Sequence, residues 1–251
     1  MKALIFAAGL GTRLKPFTLE HPKALVPVGG IPMLQHVILR LKTAGVTEIV
    51  VNVHHFAEQI VNFLDNHNFG LKITVSDESD RLLDTGGGLL HARRVLDDGS
   101  DAPIIIHNSD ILTDSDLADM LQQHINTSAV ATLLVRRRPS SRHLYFNAEH
   151  QLLGWSDDRN SSVRPEGFIP DDTMEKYSFG GVHIVSPKIF DSLQKYADKN
   201  GPVFSITPFY TDCCTQLPIY GFEQQTEYIW ADIGDAEKLA RANILINNLS
   251  Q

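Results

Sequence analysis

Along the first 135 residues the chain alternates short unbroken apolar runs with stretches in which apolar residues recur every three or four positions. Leu4-Ile5-Phe6, closed by Ala7, Ala8 and Gly9, is a run of the first kind and predicts a strand buried on both faces that ends in a tight loop. After Pro32 the spacing of Met33, Leu34, Val37, Ile38 and Leu41 predicts a helix that Gly45 stops. The pattern then repeats as a strand over 48–53, a helix over 57–67 and an alternating strand over 71–75. A helix over 85–96 with a glycine-rich first turn, a buried strand over 103–107, a helix over 114–124 and a strand over 128–135 follow. This alternation predicts an α/β class, a three-layer αβα arrangement on a mixed, mainly parallel sheet that holds ligands beyond the carboxyl ends of its strands. Gly9 and Asn108 stand at two such ends.

Beyond Arg136 the pattern changes. Two strand-like runs, 143–147 and 151–155, predict a hairpin, and the polar, aperiodic stretch 156–172 predicts a mobile loop of unusual length. A strand over 177–185 carries Gly180-Gly181, where missing side chains allow a ligand to approach closely. Helices over 187–196 and 205–213, strands over 218–222 and 228–231, and a closing helix over 235–249 complete the chain. No repeat is present. The expected organisation is one domain over 1–251, in two halves that meet between 136 and 137.

The 251 residues carry a formal net charge of −8, which argues against nucleic-acid or anionic-membrane partners, whose binding draws on clustered Lys and Arg. An acidic protein that handles anions must concentrate its few cations or borrow a metal. Cys213 and Cys214 are adjacent and are the only cysteines, so no disulfide is expected within the chain. The opening apolar run is too short for a signal peptide, and no stretch reaches the length of a membrane span, so a cytoplasmic protein is expected.

The chemistry concentrates in the first loop. Gly9 and Gly11 let backbone N–H groups approach a bound phosphate, and Arg13 adds a permanent guanidinium. A dinucleotide fingerprint fails because Leu14 stands where its third glycine belongs, and a Walker A loop fails for want of a Lys followed by Ser or Thr. What remains is G-x-G-T-R-L-x-P-x-T over 9–18 followed by P-K-A-L-V-P-V over 22–28. In this the chain resembles the sugar-1-phosphate nucleotidylyltransferases, and Asp84-Thr85-Gly86-Gly87-Gly88, Asn108-Ser109-Asp110, Ser178-Phe179-Gly180-Gly181 and Trp230-Ala231-Asp232-Ile233-Gly234 fall in that family's order. The T-G-G-G form looks most like its N-acetylmuramate-1-phosphate uridylyltransferases.

The resemblance implies the Rossmann-like nucleotide-diphospho-sugar transferase fold, Mg²⁺ as cofactor, and a nucleoside triphosphate and a sugar 1-phosphate as small-molecule partners, UTP and N-acetylmuramate 1-phosphate being favoured. It also leaves a monomer or a homodimer expected. It implies Arg13 and Lys23 as catalytic cations and Ala7, Ala8, Gly9, Gly11, Thr12, Thr85, Gly86, Gly87 and Asn108 as further nucleotide contacts. Asp110 and Asp232 would hold the metal, and Gly180, Gly181 and Arg164 would meet the sugar. One departure matters: where many relatives carry Glu-Lys-Pro, this chain offers Arg164-Pro165-Glu166, leaving Arg142, Arg159 and Arg164, or a second Mg²⁺ on Asp232, as candidates for the sugar-phosphate cation. Arg136-Arg137-Arg138 reads as a solvated charge run, His143 and His150 as solvated histidines, and His54-His55 as a strand end. Two alternatives stand beside this reading. One is a phosphocholine cytidylyltransferase with an aromatic cage of Tyr145, Trp155, Phe168 and Tyr177; the other is a silent sensor, which would be expected to lack Arg13, Lys23 or Asp110.

Overall fold

The computed structural model describes residues 1–249, with side chains described through Ile246; Ser250 and Gln251 lie outside it. In chain order the elements are β1 (Lys2–Phe6), β2 (Pro27–Val28), β3 (Ile31–Pro32), α1 (Met33–Thr43), β4 (Glu48–Val53), α2 (Ala57–Asp65) and β5 (Lys72–Asp77). They continue as α3 (Asp84–His91), α4 (Arg93–Leu96), β6 (Ile104–Asn108), β7 (Ile111–Thr113), α5 (Leu117–Asn126) and β8 (Ala131–Arg136). The remainder is β9 (Arg142–Phe146), β10 (Leu152–Asp157), β11 (Ser162–Arg164), β12 (Glu175–Val185), α6 (Ile189–Asn200), α7 (Ile206–Cys213), β13 (Ile219–Phe222), β14 (Trp230–Asp232) and α8 (Ala236–Leu249).

One ten-stranded sheet runs in the order β11-β10-β9-β12-β6-β1-β4-β5, with β8 paired to β12 and β13 to β8. β6, β1, β4 and β5 are parallel, and β12 joins β6 antiparallel. The alternation along β1 explains the layers. Ala3 and Ile5 face a core shared with α1, α2, α5 and α8, while Leu4 and Phe6 face a second core shared with α3, α4, α6 and α7. Each fully buried Leu or Ile contributes about 1.5–3 kcal/mol, so an unbroken apolar run with two buried faces fixes the strand and its register together.

Helix α1 follows the same logic. It buries Met33, Leu34, Val37, Ile38 and Leu41 on one stripe and ends beside Gly45, whose φ of 83° closes the cap. Asp116 caps α5, its side chain accepting from the Ala118 and Asp119 amides.

Three predicted elements differ in the structure. The stretch 156–172 is not free of secondary structure: β10 continues to Asp157 and β11 adds a third antiparallel strand. The polar Ser156 and Asp157 are buried on its two faces, so the apolar alternation that marks a strand is missing. The predicted helix over 85–96 breaks at Ala92 into α3 and α4. Ile111–Thr113, expected to lead into a helix, instead pairs with Trp230–Asp232 as a separate two-stranded sheet.

Candidate active site

The parallel register of β1, β4 and β6 places Phe6 opposite both Asn52 and Asn108, so the loops after these strands open at one edge. The Ala7 amide donates to Asn52 O, and the Ser109 amide to Phe6 O, which ties the glycine loop to the segment that carries Asp110. A cleft of about 380 Å³ lies there, lined by Ala8, Gly9, Gly11, Lys23, Thr85, Asn108 and Asp110 among others.

Gly11 is required at its position twice over. Its φ is 62°, and a Cβ would stand 2.8 Å from Thr18 Cγ2 and 2.9 Å from Lys23 Cβ. Thr18 Oγ1 donates to Gly11 O at 2.8 Å, and single 3₁₀ turns over Thr12–Leu14, Phe17–Leu19 and Lys23–Leu25 fold the segment back on itself. This delivers Lys23 Nζ to within 2.5 Å of Asp110 Oδ2, with both side chains largely buried.

Asp232 joins them through the small β7–β14 sheet, and the Ile233 amide donates to Asp110 O at 3.0 Å. Asp232 Oδ2 pairs with Lys238 Nζ at 2.5 Å and Oδ1 accepts from the Gly234 amide. Burial pushes the Asp232 carboxyl up, but Lys238 and the Gly234 amide outweigh it and hold the group below the usual carboxylate range. Arg13 and Asp232 both flank Gly234, where a Cβ would stand 2.6 Å from Asp232 Oδ1 and 3.0 Å from Arg13 Nη2.

Thr12 and Arg13 are exposed at the outside of the loop, and Ala7 is buried behind it. Gly86 and Gly87 turn elsewhere: both amides donate to Phe204 O, and a Cβ on Gly87 would collide with the Pro202 carbonyl. Thr85 remains at the cleft, accepting from the Ile206 amide. Gly181 packs against Ile111 and Asn108, with a φ of 77°, and Gly180 O accepts the indole N–H of Trp230.

A second cleft of about 610 Å³ lies beyond the Thr85–Ser205 hydrogen bond, lined by Arg138, Arg142, Trp155, Asp157, Arg159 and Arg164 among others. Arg159 forks onto Asp157, and Arg164 Nη1 reaches both oxygens of Asp212.

Sequence reasoning did not name Asn52 or Glu78, which also line the first cleft. Glu78 is buried, accepts from Asn52 Nδ2 and the Leu83 amide, and burial pushes its carboxyl up against those bonds. Its place directly after β5, as Asn108-Ser109-Asp110 follows β6, was the available signal, hidden in an acidic run that reads as solvated. His143 is buried and bonded to Asp158, not solvated, because β9 faces it inward. Arg137 and Arg138 are exposed, as a solvated run requires, while Arg136 is half-buried; Arg136 and Arg138 lie over Trp230 and Arg137 over Tyr177. The four proposed cage rings do not converge. Tyr145 and Phe168 pack together on one side of β10, Trp155 lines the second cleft, and Tyr177 is buried with its hydroxyl on Glu175 and Glu223.

A glycine-floored cleft, a lysine–aspartate pair at its head and a second carboxylate on an adjoining strand, set on this sheet, belong to a known class of protein. The chain is a member of the nucleotidyl transferase family, whose sequence profile matches residues 2–248. It is 33% identical to the N-acetylmuramate alpha-1-phosphate uridylyltransferase of Neisseria meningitidis, over 98% of each chain. It is 34% identical over 200 residues to mannose-1-phosphate guanylyltransferase 1 of Arabidopsis thaliana, covering 77% of this chain and 52% of that protein. The chain thus spans about half the length of the plant relatives it matches. The solved structure of HddC from Yersinia pseudotuberculosis superposes with a TM-score of 0.73 at 20% identity, covering 98% of this chain and 99% of that one, which supports the fold alone.

Proposed function

We propose that the chain transfers a nucleotidyl group from a nucleoside triphosphate to a sugar 1-phosphate, releasing pyrophosphate, with UTP and N-acetylmuramate 1-phosphate as the favoured pair. The observation that carries this reading is the 2.5 Å Lys23–Asp110 pair at the head of the glycine cleft, joined by β7 and β14 to Asp232. The relative of near-equal length supports the choice of base and sugar.

Attack by one phosphate on another is opposed first by charge, so catalysis here consists of neutralising and aligning anions. The loop amides and Arg13 would hold the phosphates that leave as pyrophosphate. Lys23 would set its ammonium against the α-phosphate, competing with Asp110 for that charge as the substrate enters. Asn108 and Thr85 would orient the nucleoside from opposite walls of the cleft.

Two carboxylates on neighbouring strands suit an ion that keeps waters and phosphate oxygens, and among the described residues no group of three His, Cys, Asp or Glu offers a closed cage. Asp110 and Asp232 would therefore hold Mg²⁺, which when bound would supply positive charge that reduces the repulsion between the substrates.

Guanylyl transfer to mannose 1-phosphate is the second reading, and Glu78 favours it. A buried carboxylate at the cleft wall suits the paired N–H donors of guanine better than the single N–H of uracil. Pyrophosphate release with Mg²⁺, crossing four nucleoside triphosphates with N-acetylmuramate, N-acetylglucosamine and mannose 1-phosphates, separates the two. The highest kcat/KM is expected for UTP with N-acetylmuramate 1-phosphate. A maximum at GTP with mannose 1-phosphate selects the second reading, and release from no pair rejects both.

A further inference from the structure

Resting on the transferase reading, we propose that Arg138 is the residue that grips the phosphate of the incoming sugar 1-phosphate. Four arginines line the second cleft, and three are already committed. Arg159 forks onto Asp157, Arg142 Nε lies 3.5 Å from the same carboxylate, and Arg164 is held by Asp212 at 2.7 Å. Arg138 has no ion-pair or hydrogen-bond partner among the described residues.

It is nevertheless positioned. Its guanidinium lies 5.2 Å over the Trp230 ring, and the Trp230 indole N–H is fixed to Gly180 O at 2.8 Å. Arginine suits such a perch because a planar guanidinium stacked on a ring still presents a fork of donors to a phosphate. Arg136 lies 4.6 Å over the same ring, with its Nε and Nη1 buried and unpartnered, so a second uncompensated cation adds to the local positive field.

The location decides what anion belongs there. Arg138 lines both the second cleft and a smaller hollow of about 200 Å³ that contains Asp232 and Lys238. Asp232 acts electrostatically on Arg138, opposing the downward shift that partial desolvation gives its pKa. A sugar seated in the second cleft with its phosphate at Arg138 faces the hollow that holds Asp232, because Arg138 lines both. Trp230 and Asp232 belong to one three-residue strand, so β14 sets both the cation's platform and the carboxylate. This accounts for a chain without Glu-Lys-Pro: the charge comes from the end of β8 and its following turn instead of the third hairpin strand.

The test compares wild type, Arg138→Gln and Arg138→Lys. Calorimetry with N-acetylmuramate 1-phosphate, N-acetylglucosamine 1-phosphate and free N-acetylmuramate is run beside pyrophosphate-release kinetics. Arg138→Gln should weaken both 1-phosphates roughly tenfold to a hundredfold, the worth of a charged hydrogen bond, while leaving the free sugar and the KM for the triphosphate unchanged. Arg138→Lys should recover part of the loss. A loss confined to the two N-acetylmuramate ligands would mean that Arg138 reads the lactyl carboxylate and would overturn the proposal, as would unchanged affinity for both 1-phosphates. If wild type binds the 1-phosphates through Arg138 but releases no pyrophosphate with any triphosphate, the transfer reading falls and this assignment stands.

Discussion

The two clefts hold their charges in opposite ways. In the first, small residues make the floor, and the charged groups are the partly buried Lys23–Asp110 pair and the buried carboxyl Glu78. In the second, guanidinium groups crowd a wall of aromatic and hydroxyl side chains, and carboxylates tie down most of them. A phosphate that reacts needs backbone donors and a cation it can take from a nearby partner, and only the first cleft offers both. A sugar needs shape and polar groups, and the arginines, each directed by a carboxylate, offer the second. Under the proposed function, this contrast gives transfer to the first cleft and sugar reading to the second.

Two glycines in the first half sharpen this division. A Cβ on Gly87 would collide with the Pro202 backbone carbonyl, which cannot swing aside as a side chain would, whereas nothing lies within 4 Å of a Cβ on Gly9. Overpacking of this kind costs about 1–3 kcal/mol, so Gly87→Ala should lower Tm by roughly 3–10 °C. Gly9→Ala should melt with wild type and lose nucleotide affinity instead. Equal melting temperatures for all three would mean that the glycine turn of α3 does not bind the halves together.

A smaller effect per group is expected where the halves join. Val182 of β12 pairs with His107 of β6, and burial pushes His107 and His124 down to about 4 and His183 to about 3. His124 is bonded at both ring nitrogens, to Thr132 and Ser186. The folded state thus binds fewer protons than the unfolded chain between the unfolded histidine pKa of about 6.5 and these values. This stability is complete above about pH 6.5 and is lost as pH falls toward 4, at roughly 1–2 kcal/mol per histidine by pH 5. Urea midpoints should fall between pH 7 and pH 5, and less steeply in His124→Asn. Flat midpoints in wild type would contradict the burial of these rings.

Legibility in the sequence divides along the same line. The first half was readable because its strands are buried on both faces and its motif residues lie close together in the chain, as from Gly9 to Lys23. What was not readable depends on distant partners. Nothing in a three-residue run such as Ile111-Leu112-Thr113 signals a strand, so the pairing that brings Asp232 beside Asp110 could not be derived. The extra strand β11 was hidden because it is three residues long and buries none of them, and the end of β10 that it pairs with buries the polar Asp157 against Arg159. Arg138 is exposed, as read, but the ring it lies over stands 92 positions later in the chain, so that contact was not legible.

The most direct test of the division is steady-state pyrophosphate release by Lys23→Ala and Asp110→Ala, with folding checked by circular dichroism. Each group acts on charge that develops as the phosphates react, so kcat/KM should fall at least about 100-fold, on the order of 3 kcal/mol of transition-state stabilisation, with the fold intact. Near-wild-type turnover in either well-folded variant would contradict the claim that the glycine cleft is where transfer occurs.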